Sequence, residues 1–195
     1  MPEANPFENL SLEEMLVLRL SWLPYLDYAL VAKRLLEHLG FEDVQLSDRM
    51  YLRGRTLEGG YDAKGHISLS LGRVSVLAQF KRSQIPVQRR QVDELRATML
   101  RLGVPLGVMV TTGIFSGTAT DAARTYPGRP IRLIDGAELG RLLVDSRIGV
   151  REERDIASSD LRLTFAEDPF ELLMTFAEQC RKRRKDPECR GKGAK

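Results

Sequence analysis

The sequence predicts an α/β domain in which strands and helices alternate along the chain. Residues 74–82 alternate between apolar and polar side chains, as a strand does when its two faces meet different surroundings. Residues 106–111 are almost continuously apolar, which indicates a strand covered on both faces. Between these strands, apolar residues recur at helical spacing over residues 86–102. Helices are therefore expected to pack against a sheet.

The first part of the chain predicts two helices and a strand. A capping box at residues 11–14 begins a helix that runs to about Leu20. Pro24 breaks this helix, and an apolar stripe over residues 26–39 predicts a second helix that a glycine ends. Residues 41–46 predict a short strand, which is followed by a loop.

The second half of the chain predicts the outer layer of the domain. Ser116 is placed to cap a helix that runs to about Arg124. Residues 131–134 predict another strand, and residues 137–144 predict a helix that completes the fold. Residues 146–167 are polar and are expected to be irregular.

A β-hairpin is predicted around a turn at Leu71-Gly72. With that turn, Asp62 lies opposite Lys81, and Lys64 lies opposite Gln79. Directly opposite residues are about 4.5–5.5 Å apart at Cβ, so a carboxylate, an amide oxygen and an ammonium group would converge on one patch. The simpler alternative is a surface hairpin with a solvated salt bridge.

Such a patch has the groups that phosphodiester chemistry needs. A carboxylate and a second oxygen ligand are the minimum for a Mg²⁺ site that keeps several waters. A nearby lysine can orient a water molecule or offset the charge that develops on a phosphate. An Asp followed by Glu or Gln, one spacer and Lys on adjacent strands is the pattern of the PD-(D/E)xK nucleases.

Four segments of the chain resemble the Mrr-like restriction endonucleases of that superfamily, in the family's order over about residues 26–145. The segments are Glu58-Gly59-Gly60-Tyr61-Asp62, Gln79-Phe80-Lys81-Arg82, Val108 to Ser116 followed by Ala119, and Ile131 to Gly136 followed by Leu139. The resemblance implies a restriction-endonuclease-like fold, with a central mixed β-sheet flanked by α-helices. It also implies metal-dependent cleavage of DNA, often methylated or foreign, in a defence role.

The resemblance assigns roles to residues of the hairpin. Asp62, the Gln79 side chain and the backbone carbonyl of Phe80 would hold Mg²⁺ or Mn²⁺. Lys81 would position or activate the attacking water. Together, Asp62, Gln79 and Lys81 are the expected catalytic residues.

One departure from the family pattern concerns the first helix of the domain. A Glu of that helix usually helps to hold the metal, and the corresponding position here is Ala29. Asp27 is a candidate substitute. Because Gln79 is also neutral, a second hypothesis is a catalytically impaired subunit that binds nucleic acid or assembles with a partner. A third is an unrelated α/β scaffold that carries a similar hairpin.

The charge distribution bears on DNA as a partner. The net charge is +3, but residues 179–195 hold eight Lys and Arg against two Asp and Glu, so the remainder carries a net −3. The positive charge of that remainder is concentrated around the predicted hairpin and the helix after it, where it is suited to contact phosphates. The alternative is that the arginines of this helix form an ordinary solvated helix face. The candidate nucleic-acid contacts are Lys64, Arg82, Arg89, Arg90 and Ser116.

The expected organisation is one nuclease domain with extensions. The predicted parts are an N-terminal helical extension (1–25), the core (26–146), a linker with a C-terminal helix (147–180) and a basic, disordered tail (181–195). No apolar run is long enough to span a bilayer, and two cysteines do not suggest a disulfide framework, so the cytoplasm is expected. Because one site cuts one strand, a homodimer or a partner protein is expected.

Overall fold

A five-stranded mixed β-sheet forms the centre of the fold. The computed structural model describes residues 10–47, 60–154 and 161–165. The strand order is β1-β2-β3-β4-β5, in which β1 to β3 run antiparallel and β3 to β5 run parallel. The strands are β1 (Phe41–Leu46), β2 (Ala63–Leu69), β3 (Gly72–Lys81), β4 (Leu106–Thr111) and β5 (Ile131–Ile134). The predicted central mixed sheet is confirmed.

Helices cover both faces of this sheet. The first, second and fifth helices share a core with one face, and the third and fourth share a core with the other. The helices are α1 (Leu12–Trp22), α2 (Tyr25–His38), α3 (Arg89–Arg101), α4 (Gly117–Thr125) and α5 (Gly136–Asp145). Each begins within three residues of its predicted start, because the caps and the apolar spacing are local signals. No helix among the described residues is long and apolar enough to cross a membrane.

Strand β3 separates the two cores. Val76, Ala78 and Phe80 belong to the core beneath α1, α2 and α5, whereas Leu77 belongs to the core beneath α3 and α4. All four side chains are at most 3% exposed. Burying a side chain as large as Phe80 is worth about 1.5–3 kcal/mol, so the alternating pattern orients β3 firmly between the two helical layers.

Helix α1 is part of the first of these cores. Leu16 and Leu20 are fully buried and pack with residues of the sheet and of α5. The contact with α5 is close, since a Cβ added to Gly140 would lie 2.8 Å from the Cβ of Glu13. The glycine therefore lets the two helices approach at this point.

The turn of the β2–β3 hairpin lies one residue earlier than predicted. Leu69 pairs with Gly72, and Ala63 pairs with Ala78, so residues 70 and 71 form the turn rather than Leu71-Gly72. Gly72 has a φ of +134°, a conformation that residues with a side chain rarely adopt. Turn geometry, and not the apolar pattern, determined this position.

The corrected turn changes the partners across the hairpin. Lys64 faces Leu77 and not Gln79, and Asp62 is not opposite Lys81 as predicted. Continued by one residue, the observed register places Asp62 opposite Gln79. The partners are shifted by two positions, so every side chain keeps its predicted face, which is why alternation alone could not reveal the error.

The prediction that residues 146–167 are irregular was wrong. An antiparallel hairpin of β6 (Val150–Arg154) and β7 (Leu161–Phe165) forms a separate two-stranded sheet. Leu161, Leu163 and Phe165 alternate with polar residues, which is a strand signal. The charged residues of β6 concealed its pairing with this strand. The helix and tail predicted from residue 168 onwards lie outside the described residues.

Two glycines hold the carboxyl ends of β3 and β4 against the start of α5. A Cβ on Gly113 would lie 2.5 Å from the carbonyl oxygen of Ser83, and one on Gly136 would lie 2.5 Å from that of Thr112. Gly136 N–H also donates to the Gly113 carbonyl at 2.7 Å. The predicted Thr-Thr-Gly and Leu-Ile-Asp-Gly segments thus meet through their backbones.

This close approach predicts that Gly136→Ala destabilises the domain. The added methyl group must push the strand end away from α5, at a cost of about 1–3 kcal/mol. The matched control is Gly117→Ala, because Gly117 is likewise the first residue of its helix but has open space around it. Urea denaturation followed by circular dichroism measures both changes. Equal midpoints for the two variants would contradict the packing argument.

Candidate functional site

The candidate site lies at the carboxyl end of β3, where β2 begins. Asp62 immediately precedes β2, and its backbone N–H donates to the Ala78 carbonyl at 2.7 Å. Its side-chain Oδ2 accepts a hydrogen bond from the Phe80 N–H at 2.7 Å. The carboxylate is therefore held beside the last residues of β3. The structure brings Asp62 together with the Gln79–Lys81 segment, as the sequence predicted, although through a different register.

Gly60 shapes the approach of the chain to Asp62. Its φ is +115°, and a Cβ at this position would overlap the Oγ1 atom of Thr98 on α3. Any other residue would meet both a strained backbone and a steric clash. Gly60 therefore has a structural reason, since it lets the chain cross closely over α3 before β2 begins.

Tyr25 contacts two of the predicted metal ligands. Its hydroxyl oxygen lies 3.0 Å from Oδ2 of Asp62 and 2.7 Å from the carbonyl oxygen of Phe80. Tyr25 is the first residue of α2 and is 38% exposed. The sequence analysis missed this residue, because the contacts join positions 37 and 55 residues apart and no periodicity connects them.

Tyr28 lies one turn later on the same side of α2. Its hydroxyl is within hydrogen-bonding distance of the Lys81 and Val110 carbonyls, at 3.4 and 3.3 Å. Complete burial raises the pKa of the Tyr28 phenol, and the nearby Asp62 carboxylate raises that pKa further. The phenol therefore stays neutral and ties α2 to the ends of β3 and β4. Its ring also makes an edge contact with the Phe80 ring.

Two positions of α2 bear on whether this helix supplies an acid to the site, and both are buried. Ala29 is fully buried in the core. Asp27 is 2% exposed, and it lies two residues after Tyr25, so it projects from a different face of the helix. The side of α2 that meets Asp62 therefore presents tyrosine hydroxyls. The part that Asp27 would play in binding a metal stays a prediction.

The amide of Gln79 lies in a buried position at the same end of β3. Gln79 is 6% exposed, and its Oε1 atom has no hydrogen-bond partner among the described residues. A buried acceptor without a partner costs about 1–3 kcal/mol. An oxygen in this condition is suited to bind a cation or a water, and it lies one residue before the carbonyl of Phe80.

Lys81 follows on the same face of β3 as Gln79. It is partly exposed, and its ammonium group forms no ion pair with the residues that the structure describes. The convergence of the carboxylate, the amide oxygen and the ammonium group on one patch stays a prediction. Within the described ranges, no three His, Cys, Asp or Glu side chains are grouped closely enough to hold a metal ion.

The donor set nevertheless fits one divalent ion of the hard class. Mg²⁺ is typically held by one or two carboxylates and completes its shell with waters and substrate phosphates. Asp62 supplies one carboxylate, and Gln79 and Phe80 supply neutral oxygens. The orphaned Gln79 oxygen is the observation that favours this fit.

The candidate DNA-contacting residues have different surroundings. Lys64 and Arg82 are exposed. On α3, Arg89 pairs with Asp93 at 3.1 Å, and Arg90 pairs with a glutamate one turn later. Exposed pairs of this kind are worth about 0–1 kcal/mol, so a phosphate can compete for these arginines.

Two further basic residues, one on β3 and one on α3, have structural roles. Arg96 is 6% exposed, donates to the Ala122 carbonyl at 2.6 Å and lies 4.5 Å from the centre of the Tyr126 ring. It therefore links α3 to α4. Arg73 pairs with Asp43 at 2.6 Å, which lowers the pKa of that carboxyl. Ser116 caps α4 by accepting from the Ala119 N–H.

Comparisons with known proteins agree with this geometry. The model of a restriction endonuclease family, that of the Mrr catalytic domain, matches residues 23–143. The type IV methyl-directed restriction enzyme EcoKMrr of Escherichia coli K12 is 35% identical over 98 residues, which are 50% of this chain and 31% of that enzyme. The chain thus spans about a third of this curated relative.

Two solved structures share the fold. The DNA modification-dependent restriction endonuclease AspBHI aligns with a TM-score of 0.54 and 19% identity, over 71% of this chain and 37% of that one. The MspJI restriction endonuclease, solved in complex with a 27-mer oligonucleotide, aligns with a TM-score of 0.51 and 26% identity, over 67% and 30%. With the family match over more than half of its length, the chain belongs to the restriction endonuclease family and has the restriction-endonuclease-like fold.

Proposed function

We propose that this protein is a metal-dependent endonuclease that hydrolyses phosphodiester bonds of DNA in a restriction or defence role. The observation that carries the proposal is the hydrogen bond from the Phe80 N–H to the Asp62 carboxylate, because Phe80 stands in β3 between Lys81 and Gln79, whose side-chain oxygen is unsatisfied. EcoKMrr is called methyl-directed and AspBHI modification-dependent. Modified DNA is therefore the substrate class that we would test first.

The proposed site uses three oxygen donors and one ammonium group. Asp62, the Gln79 side chain and the Phe80 carbonyl would hold the ion, for which Mg²⁺ and Mn²⁺ are the candidates. Restriction endonucleases generally use divalent metal ions, and a bound ion supplies Lewis-acid stabilisation and lowers the pKa of bound water. Lys81 would hold the attacking water by hydrogen bonding and offset negative charge on the phosphate.

The surfaces around the site support contact with DNA phosphates. Exposed Lys64 and Arg82 and the weakly paired Arg89 and Arg90 supply the positive charge that such contacts need. We also propose that the protein works as a homodimer or beside a partner protein, since one site cuts one strand. Two-fold symmetry is the commonest solution for such an assembly.

A second candidate function is a subunit that binds DNA without cutting it. Specific observations favour it: the expected acid of α2 is replaced by the buried Ala29, Gln79 is neutral, and a tyrosine hydroxyl contacts Asp62. One charged ligand binds a divalent ion less strongly than two or three would. Cleavage in the presence of Mn²⁺ distinguishes this candidate from the nuclease.

The nuclease proposal predicts that Asp62→Asn and Lys81→Ala each reduce DNA cleavage by about a hundredfold or more. Asn keeps an oxygen that can accept the Phe80 N–H, so the charge is lost while the local fold is kept. A gel assay on plasmid DNA, methylated and unmethylated, with Mn²⁺ measures the effect. Arg141→Ala, an exposed change on α5, is the control that should cleave like the unaltered protein. Full activity of either site variant contradicts the assignment.

The ligand assignment predicts that Gln79→Glu tightens binding of Mn²⁺. A carboxylate in place of the buried amide adds a full charge to the site, and the cost of burying that charge is relieved when the ion binds. Isothermal titration calorimetry at fixed pH measures the change, which we expect to be about tenfold or more. The gain should vanish in the Asp62→Asn background. An unchanged affinity would show that Gln79 is not a ligand.

A further inference from the structure

The hydroxyl of Tyr25 uses the same two oxygens that the proposed metal ion would need. It lies 3.0 Å from Asp62 Oδ2 and 2.7 Å from the Phe80 carbonyl oxygen, and these acceptors lie at the start of β2 and the end of β3, which meet at the open end of the hairpin. A hydroxyl between a carboxylate and a carbonyl acts as a donor, because both partners are pure acceptors. Its proton therefore points towards the space in which a cation bound to these oxygens would lie.

We propose that Tyr25 competes with the divalent ion, so that its hydroxyl must leave Asp62 and Phe80 before the site can load. The inference rests on the proposed metal-dependent function and adds to it a residue that sets the metal affinity. Mg²⁺ binds oxygen at about 2.0–2.1 Å. An ion held by these two oxygens would need lone pairs to which the hydroxyl is now hydrogen-bonded.

The charge of the Asp62 carboxylate favours this position of the hydroxyl. Oδ2 of Asp62 accepts from the Phe80 N–H as well as from Tyr25, so two donors stabilise one carboxylate oxygen. A hydrogen bond to a charged group is among the stronger ones in proteins. In the proposed site an ion would have to replace this bond, so the hydroxyl would lower the affinity of the site for the ion.

The exposed position of Tyr25 allows its ring to rotate, whereas the ring of Tyr28 is held in the core. Tyr25 begins α2 and is 38% exposed, whereas Tyr28 is fully buried. A rotation of the Tyr25 side chain towards solvent would free both oxygens without disturbing the core. Tyr28 would keep α2 attached to the ends of β3 and β4 during that rotation.

The test is metal binding by Tyr25→Phe, which removes only the hydroxyl. Titration of the metal-free protein with Mn²⁺, followed by calorimetry and by the electron paramagnetic resonance signal of free Mn²⁺, should show a dissociation constant lower by about tenfold. Tyr126→Phe is the matched control, because it removes the hydroxyl of a half-exposed tyrosine that follows α4 and does not belong to the candidate site. It should bind Mn²⁺ like the unaltered protein.

A spectroscopic measurement reports on the hydroxyl itself. Addition of Mg²⁺ should change the near-ultraviolet difference spectrum of tyrosine in the unaltered protein and in Tyr126→Phe, since Tyr25 exchanges its acceptors for water. The same addition should leave Tyr25→Phe without that change. A Tyr25→Phe protein that binds Mn²⁺ equally or less tightly overturns the proposal, since the hydroxyl would then be indifferent or a ligand.

The Asp62→Asn variant separates this inference from the proposed function. If Asp62→Asn loses Mn²⁺ binding while Tyr25→Phe binds like the unaltered protein, the metal site stands and the competition is wrong. If Asp62→Asn binds Mn²⁺ as well as the unaltered protein does, the metal is not held at Asp62. Both proposals then fail, as they do if neither the unaltered protein nor Tyr25→Phe binds Mn²⁺.

Discussion

The hydrogen bond from the Phe80 N–H to the Asp62 carboxylate joins the two strands on which the candidate site is built. Strand β3 is paired along one edge with β2 and along the other with β4, and helices cover both of its faces. Its position is therefore set by the whole core. The residues at its carboxyl end are therefore held in fixed positions. A functional site needs this when its groups must keep fixed distances.

Few charged groups converge on the candidate site. Asp62 satisfies its carboxylate with a backbone N–H and a phenol, while the acid expected from α2 is replaced by the buried Ala29. The remaining donors are neutral oxygens of Gln79 and Phe80. In the proposed nuclease, so little negative charge would repel a DNA phosphate less but would hold a cation less firmly. Tyr25 adds to this balance, because its hydroxyl donates to the same carboxylate.

Basic residues of the hairpin and of α3 differ in what they contact. Arg96 is hydrogen-bonded at the α3–α4 interface, and Arg73 forms ion pairs with the acidic residues of β1. Arg89 and Arg90 hold only exposed partners along their own helix. A count of positive charges near the hairpin thus overestimates the surface that could contact phosphates, since burial and competing carboxylates remove part of it.

The sequence by itself determined the local elements and the residues at the end of β3. The bounds of β1, β4 and β5 agree with the prediction because apolar spacing and glycine positions act within a few residues. Asp62 and the Gln79–Lys81 segment were identifiable because the strand and the glycine-rich approach are both local patterns. The hairpin of β6 and β7 was not predicted because one of its strands is charged. The sequence of a single strand also does not show which strand will pair with it.

Only the tertiary structure decided which groups meet. A shift of two residues leaves the alternation of a strand unchanged, so the sequence could not distinguish Asp62 opposite Lys81 from the observed register. Tyr25 reaches Asp62 and Phe80 across 37 and 55 residues of chain. That contact follows from how α2 packs on the sheet. Packing depends on the shapes of side chains brought together from distant segments, and local patterns do not carry that information.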